Sequence, residues 1–270
     1  MQRLDGRVAV VTGAGSGIGR VTAQRLASKG CHLALVDLRP EGIAETARLV
    51  RAQGRRATTH LADVSDAERM AALPDEVLAG HDVVHILVNN AGITSVGAFA
   101  DERLEDMRLL VDVNMWGVVH GCRAFLPVLR AQDEAHIVNV SSMAGLMGLP
   151  HTATYAMTKG AVKAFSEALR GELAGTPVGV SVVFPGTHRT AIASGARGAD
   201  GARVARLSQG PLAVLMPPPS FVARRIVKVI ERAAPRAVVG PDARIVDWAS
   251  RVAPGRTRLI GRATGKLSGR

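Results

Sequence analysis

Seven short apolar runs alternate with longer stretches of helical periodicity along this 270-residue chain, and that alternation restricts the fold more than any other feature. The runs are Arg7 to Thr12, His32 to Val36, Arg56 to His60, His85 to Asn89, Ala135 to Ser141, Val178 to Phe184 and Arg236 to Gly240. Between them, stretches near 17 to 29, 41 to 53, 66 to 79, 103 to 130, 154 to 174 and 220 to 233 repeat apolar residues at three- and four-residue intervals, as in Ala161, Phe165, Ala168 and Leu169. Strand and helix alternating in this way predict an α/β architecture with one doubly wound parallel sheet of about seven strands. No composition break marks a second domain. Two regions fall outside the alternation: a Gly-, Ala- and Arg-rich connection over 187 to 219, of a length usual for lids, and a basic extension over 241 to 270. In that extension Ile245, Trp248, Ala249 and Val252 share one helical face, which is expected to pack over a cleft or a neighbouring subunit.

Charge is divided unevenly. Residues 203 to 270 hold 14 basic and 3 acidic side chains, which accounts for the whole net charge of +11, while the first 202 residues are balanced. Aromatic residues make up only 3% of the chain, too few for base-stacking platforms, and no helix-turn-helix pattern accompanies the basic quarter, so nucleic acid is not an expected partner. Anionic lipid at low salt is a weak contact that the same charges would permit. No apolar run approaches the roughly 18 residues of a membrane span. The N-terminus carries no apolar leader, and the two cysteines, Cys31 and Cys122, suggest neither a disulfide framework nor a metal site. A cytoplasmic setting and no metal are the expectation.

The first run leads directly into Thr12-Gly13-Ala14-Gly15-Ser16-Gly17-Ile18-Gly19 and then a helix. Backbone N–H groups at such a turn, together with a helix N-terminus, suit a pyrophosphate, and glycine is needed where a Cβ would block the tight turn or the ligand. A Rossmann-type sheet binding a dinucleotide is the reading that follows. The second run ends in Asp37, 18 residues past Gly19. A carboxylate there can accept hydrogen bonds from ribose hydroxyls and repel a 2′-phosphate, which argues for NAD over NADP. Arg39, two residues on, argues the other way.

At these residues the sequence resembles the short-chain dehydrogenase/reductase family, over nearly the whole stretch from Arg7 to about Gly240. The T-G-x-x-x-G-x-G turn supplies Gly13, Ser16, Gly17, Ile18 and Gly19. Asp63-Val64 looks like the family's adenine-contacting pair, and Asn89-Asn90-Ala91-Gly92 is its N-N-A-G. Asn114 matches the asparagine of the catalytic tetrad, and Tyr155-Ala156-Met157-Thr158-Lys159 is Y-x-x-x-K. Ser142, thirteen residues before the tyrosine, has the family spacing and is preferred over Ser141. Pro185-Gly186 followed by Thr190 matches P-G-x-x-x-T, with His188 where the family usually has an aliphatic residue. The resemblance implies a nicotinamide-dependent oxidoreductase with Asn114, Ser142, Tyr155 and Lys159 as catalytic residues. It implies a cofactor held by Gly13, Ser16, Gly17, Ile18, Gly19, Asp37, Asp63, Val64, Asn89, Ala91, Gly92, Tyr155, Lys159, Pro185, Gly186, His188 and Thr190. It also implies dimers or tetramers formed through the helices over 103 to 130 and 154 to 174.

Physical chemistry supports the central pair independently. Tyr155 is the only tyrosine, and residues four apart share a helix face. Proton transfer near neutral pH requires the phenol to drop roughly three units from its usual value of about 10, which a neighbouring ammonium and a positively charged nicotinamide would favour. Met143, Leu146, Met147, Leu149, Leu212, Val214, Leu215 and Met216 are expected near the reacting carbon, so the substrate expected is a small hydrophobic secondary alcohol or ketone. Residues 1–240 are read as the dinucleotide-binding catalytic domain, with 187–219 as its substrate lid. A different class of function, a cofactor-holding scaffold whose basic C-terminal region binds a membrane surface or an acidic partner, would be signalled by a damaged tetrad. The tetrad is intact.

Overall fold

A computed structural model describes residues 1, 3–188, 196–202, 206 and 217–253. The apolar runs become seven strands: β1 (Val8–Thr12), β2 (His32–Asp37), β3 (Ala57–Leu61), β4 (Ile86–Asn89), β5 (Ala135–Val140), β6 (Val178–Pro185) and β7 (Arg236–Val239). All adjacent pairs are parallel, in the order β3-β2-β1-β4-β5-β6-β7. Central strands read as unbroken apolar segments because helices cover both faces, and every residue of β1, β4 and β5 is buried. The edge strands β3 and β7 are more exposed.

The helices are α1 (Gly17–Ala27), α2 (Pro40–Arg51), α3 (Ala67–His81), α4 (Leu104–Val111), α5 (Gly117–Arg130), α6 (Ala153–Glu172), α7 (Ser220–Arg232) and α8 (Pro241–Val252). Side chains of β1 alternate between the two layers. Ala9 and Val11 pack with Leu26 of α1, Ile43 of α2 and Ile226 of α7, whereas Val10 packs with Leu73 of α3, Phe125 of α5 and Val162 of α6. Burying one such Leu, Ile or Phe side chain is worth about 1.5–3 kcal/mol, so this two-sided packing fixes the register of the sheet. Local signals set the helix starts: Pro40 opens α2, and the Asp66 carboxylate caps α3 by accepting from the Arg69 N–H at 2.9 Å.

The stretch over 103 to 130 is helical from Leu104 to Arg130 but is interrupted by a π turn. A π turn at Asp112–Trp116 separates α4 from α5, because Asn114, fully buried inside it, turns its amide onto a neighbouring loop. One element lies beyond the last strand. α8 is anchored by buried Ala243, while Ile245, Trp248 and Val252 are 67%, 65% and 62% exposed. The stripe, expected to pack over the cleft or a neighbouring subunit, therefore does not cover the cleft but faces outward in the single chain, since the helix attaches through the opposite side. Among the described residues no helix is long and apolar enough to cross a membrane, and no cluster of His, Cys, Asp and Glu could hold a metal ion.

The sheet order reverses at β1 and β4. From β1 the chain moves outward to β2 and β3, then crosses back to β4 on the other side, which leaves a crevice above the C-terminal ends of β1 and β4. The motif residues converge on that crevice.

Candidate active site

A cleft of about 600 Å³ runs above the strand ends. Gly13, Ser16, Gly17 and Ile18 line its floor, Asp37, Asp63 and Val64 line one end, and Ser142, Tyr155, Lys159 and Pro185 to His188 line the other, with Ala91 and Gly92 between. The turn after β1 is held open by named contacts. Gly13 and Gly17 have φ of +65° and +53°, and a Cβ at Gly19 would collide with the Gly13 carbonyl oxygen. The Asn90 amide donates to the Thr12 carbonyl at 2.9 Å, and the Thr12 hydroxyl accepts from the N–H groups of Asn90 and Ala91 at 3.0 and 3.1 Å. Ser16, the residue before α1, makes no capping bond to its own helix and instead accepts from the Arg39 guanidinium at 2.8 Å. The first-turn N–H groups of α1 thus lack a side-chain cap, which fits an anionic diphosphate.

Asp37 is buried and its orientation is fixed. Oδ2 accepts from the Gly15 N–H at 2.8 Å, and Oδ1 accepts from the Arg39 N–H at 3.0 Å. A Cβ at Gly15 would sit 2.8 Å from Oδ2, so glycine is required for this approach. The Asp63 carboxylate closes its own turn by accepting from the N–H and hydroxyl of Ser65 at 2.9 and 2.6 Å.

At the opposite end, Ser141 and Ser142 separate in role. The Ser141 hydroxyl donates to the Lys159 carbonyl at 2.7 Å and is buried, whereas Ser142 lies in the cleft wall with its hydroxyl accepting from the Ala144 N–H at 3.2 Å. Lys159 is buried, and its Nζ donates to the Val140 carbonyl at 3.1 Å. A Cβ on Gly92 would fall 3.0 Å from Asn114 Oδ1 and 3.3 Å from Lys159 Nζ, which places those two polar atoms around the same glycine. Asn114 is engaged on both sides: Oδ1 accepts from the Ile93 N–H, and Nδ2 donates to the Ile93 carbonyl, each at 2.9 Å.

Burial dominates the electrostatics. It pushes the Lys159 ammonium down to about 8, and it raises the Tyr155 phenol above its ordinary value, with the Ser142 hydroxyl working against the rise. The fall in the tyrosine pKa, expected from the lysine together with a positively charged nicotinamide, is thus not a property of the cleft by itself. It would need the additional positive charge of an oxidised nicotinamide.

Most motif residues meet in this cleft, with a few exceptions. Asn89 points away, donating to Asn139 Oδ1 at 2.9 Å within a buried polar cluster that includes Cys122, and the neighbouring Asn90 supports the glycine turn. Gly19 packs beneath the turn and does not line the cleft. Thr190 lies outside the described residues, as do Leu212, Val214, Leu215 and Met216. Of the expected apolar wall, Met143 and Leu149 line the cleft together with Ile93, Val96 and Val113, while Leu146 and Met147 line an adjoining open groove. Asp242 had no signal in the motif pattern. Its carboxylate, in the first turn of α8, accepts from the Thr187 N–H at 2.6 Å and so braces the segment after β6.

A Rossmann-type sheet with a glycine-rich first turn and a serine, tyrosine and lysine around one cleft defines a dinucleotide-dependent oxidoreductase architecture. Residues 7–200 match the family described as short chain dehydrogenase. The chain is 40% identical over 255 residues to the protein SadH of Mycobacterium tuberculosis, covering 93% of this chain and 92% of that one. It is 36% identical over 195 residues to 1-deoxy-11-beta-hydroxypentalenate dehydrogenase of Streptomyces avermitilis, covering 71% and 72%. Among solved structures, a short chain dehydrogenase/reductase from Burkholderia phymatum in complex with NAD superposes with a TM-score of 0.85 at 32% identity, covering 93% of this chain and 95% of that one. The chain belongs to the short-chain dehydrogenase/reductase family and is an oxidoreductase.

Proposed function

We propose that this enzyme interconverts a small hydrophobic secondary alcohol and its ketone, using NAD in preference to NADP and Tyr155 as the acid/base. The observation that carries the reading is the meeting of Ser142, Tyr155 and Lys159 on one wall of the cleft, with the alternative serine, Ser141, already committed to the Lys159 carbonyl. A nicotinamide bound there would supply or accept the hydride. Ser142 would hydrogen-bond the substrate oxygen, Tyr155 would exchange its proton, and Lys159 would stabilise the phenolate and hold the nicotinamide ribose. The apolar wall of Ile93, Val96, Met143 and Leu149 offers few polar partners, which suits a lipophilic ketone better than a sugar or small acid. The Streptomyces relative's name specifies a substrate that carries both a hydroxyl and a carboxylate group, which agrees with dehydrogenation at a hydroxyl-bearing carbon.

For the cofactor, the fixed Asp37 carboxylate at the adenosine end supports NAD by repelling a 2′-phosphate. Dimers or tetramers through α4, α5 and α6 are part of the proposal, supported by exposed Leu104, Trp116 and Met157 on or beside those helices. The two buried free thiols suit a reducing cytoplasm. A turnover screen of lipophilic alcohols and ketones with NAD(H) and NADP(H), followed by nicotinamide absorbance, tests the whole reading. Turnover of such substrates with NAD(H) supports it, and turnover confined to polar sugars or to NADP(H) contradicts it.

A further inference from the structure

Helix α8 presents an apolar face that no described residue covers. Ile245, Trp248 and Val252 recur at intervals of three and four residues, so they form one stripe, and all three are exposed. Arg244 and Arg251, seven apart and also exposed, run along one flank of that stripe. The acidic side chains of the helix are already engaged. Asp242 accepts from the Thr187 N–H at 2.6 Å, while Asp247 pairs with Arg236 at 2.6 Å and with Arg251 at 3.3 Å. Two guanidinium groups on one carboxylate leave a net positive charge. The helix therefore shows solvent an apolar stripe with a basic border.

The sequence that follows adds charge of the same sign. Residues 254 to 270 carry Arg256, Arg258, Arg262, Lys266 and Arg270 with no acidic residue, and they begin just past the end of α8. A second copy seated on the stripe would bring another set of these five charges close to the first, which repels. A nucleic acid would answer the charge and leave the stripe in water. A bilayer containing anionic lipid answers both: its headgroups neutralise the basic side chains, and its interfacial layer accepts a tryptophan with aliphatic neighbours. Neither signal is strong alone, and stable attachment to a membrane surface takes two together.

We propose that α8 and the basic segment after it form a docking surface for a bilayer containing anionic lipid, with Ile245, Trp248 and Val252 entering the interfacial layer. This adds an attachment to the enzyme and leaves its catalytic residues as assigned. The position of α8 gives the attachment a use. The helix packs against the turn Met143–Gly145 and braces Thr187 through Asp242, both at the substrate end of the cleft. A docked enzyme would hold that end near the lipid, where a lipophilic ketone concentrates. This last step rests on the hydrophobic-substrate reading, whereas the docking does not.

Co-sedimentation of the full chain with vesicles reads the docking without any turnover. At physiological salt the protein should bind phosphatidylcholine vesicles containing about 30% phosphatidylserine about tenfold more tightly than pure phosphatidylcholine. In a Trp116→Phe background Trp248 is the only tryptophan, and its emission should move to the blue on the mixed vesicles. The triple variant Ile245→Ser, Trp248→Ser, Val252→Ser changes exposed side chains alone, so its thermal midpoint should match the parent's while its affinity for the mixed vesicles falls about tenfold. No preference for the anionic vesicles, or a Trp248 spectrum that they leave unmoved, overturns the inference. So does a preference that the triple variant keeps in full, since charge alone would then account for it. Binding to soluble polyglutamate as tight as to vesicles would make the partner an acidic protein, and a drop in solution mass caused by the triple variant without lipid would show that a second copy covers the stripe. Either result also overturns the proposal.

Discussion

The two ends of the cleft are built on different principles. At the dinucleotide end the polar groups are tied down by short-range contacts: Asp37 to Gly15 and Arg39, Thr12 to Asn90 and Ala91, Asp63 to Ser65. At the substrate end Ile93, Val96, Met143 and Leu149 are brought together from separate loops, and their contribution is shape rather than directed bonds. A pyrophosphate and a ribose demand particular residue types at particular spacings, whereas an apolar pocket accepts many combinations of equal volume. The first end can therefore be recognised from sequence, and the second emerges only when the chain is folded.

The largest test of this contrast is at the junction of the two ends. Tyr155→Phe should lower kcat by about 10²–10⁴-fold, the range of general acid–base catalysis, while leaving NAD affinity within a few-fold. Steady-state turnover and calorimetric titration check this, and undiminished turnover would break the assignment.

The next effect is on stability. Burial lowers Lys159 from 10.5 to about 8, so between those values the unfolded chain binds more protons than the folded one. The penalty is complete below pH 8 and fades as pH rises toward 10.5. Lys159→Met should accordingly stabilise the cofactor-free protein at pH 7 by up to about 3 kcal/mol, with the gain shrinking from pH 8 upward. Denaturant titrations of the two proteins at several pH values measure the difference, in which the buried thiols Cys31 and Cys122, pushed up to about 12, cancel. A variant no more stable than the parent would show that the polar end is not held at the expense of stability.

How much of this was legible follows from the same contrast. The seven strands, the glycine turn, Asp37 and the pairing of Tyr155 with Lys159 can be read from periodicity and spacing, since each depends on local geometry, whereas Ser142 and Asn114 were legible only through the family resemblance. The π turn at Asp112–Trp116 was not, because it arises from the contacts of Asn114 with Ile93, 21 residues away. Asn89 and Asn90 are adjacent letters, and only the direction of β4 decides that the first faces the buried cluster and the second the glycine turn. Asp242 reaches Thr187 across 55 residues, a contact that no local pattern encodes. The outward stripe of α8 shows the limit of periodicity: it identifies an apolar face but not what that face meets.

Smaller effects sharpen the comparison. Asp37→Ala should shift the preference between NAD and NADP by about tenfold, as removal of one repulsive charge near a phosphate would, and paired Kd measurements read the shift. Leu149→Ala should change the KM for a lipophilic ketone by only several-fold, in line with the roughly 1–3 kcal/mol that a few methylenes contribute to an apolar pocket, with NAD affinity unaltered. A loss of cofactor binding in that variant would erase the distinction between the two ends.

The central claim is that Tyr155 becomes an acid/base only when the cofactor's positive charge joins Lys159. Tyr155 is the sole tyrosine of the chain, so its ionisation can be followed by ultraviolet difference absorbance without a competing phenol. Burial should hold its midpoint above 10 in the cofactor-free protein, and saturating NAD should bring it below 10, toward the pH at which proton transfer is effective. A midpoint that stays at or above 10 in the NAD complex would contradict the account.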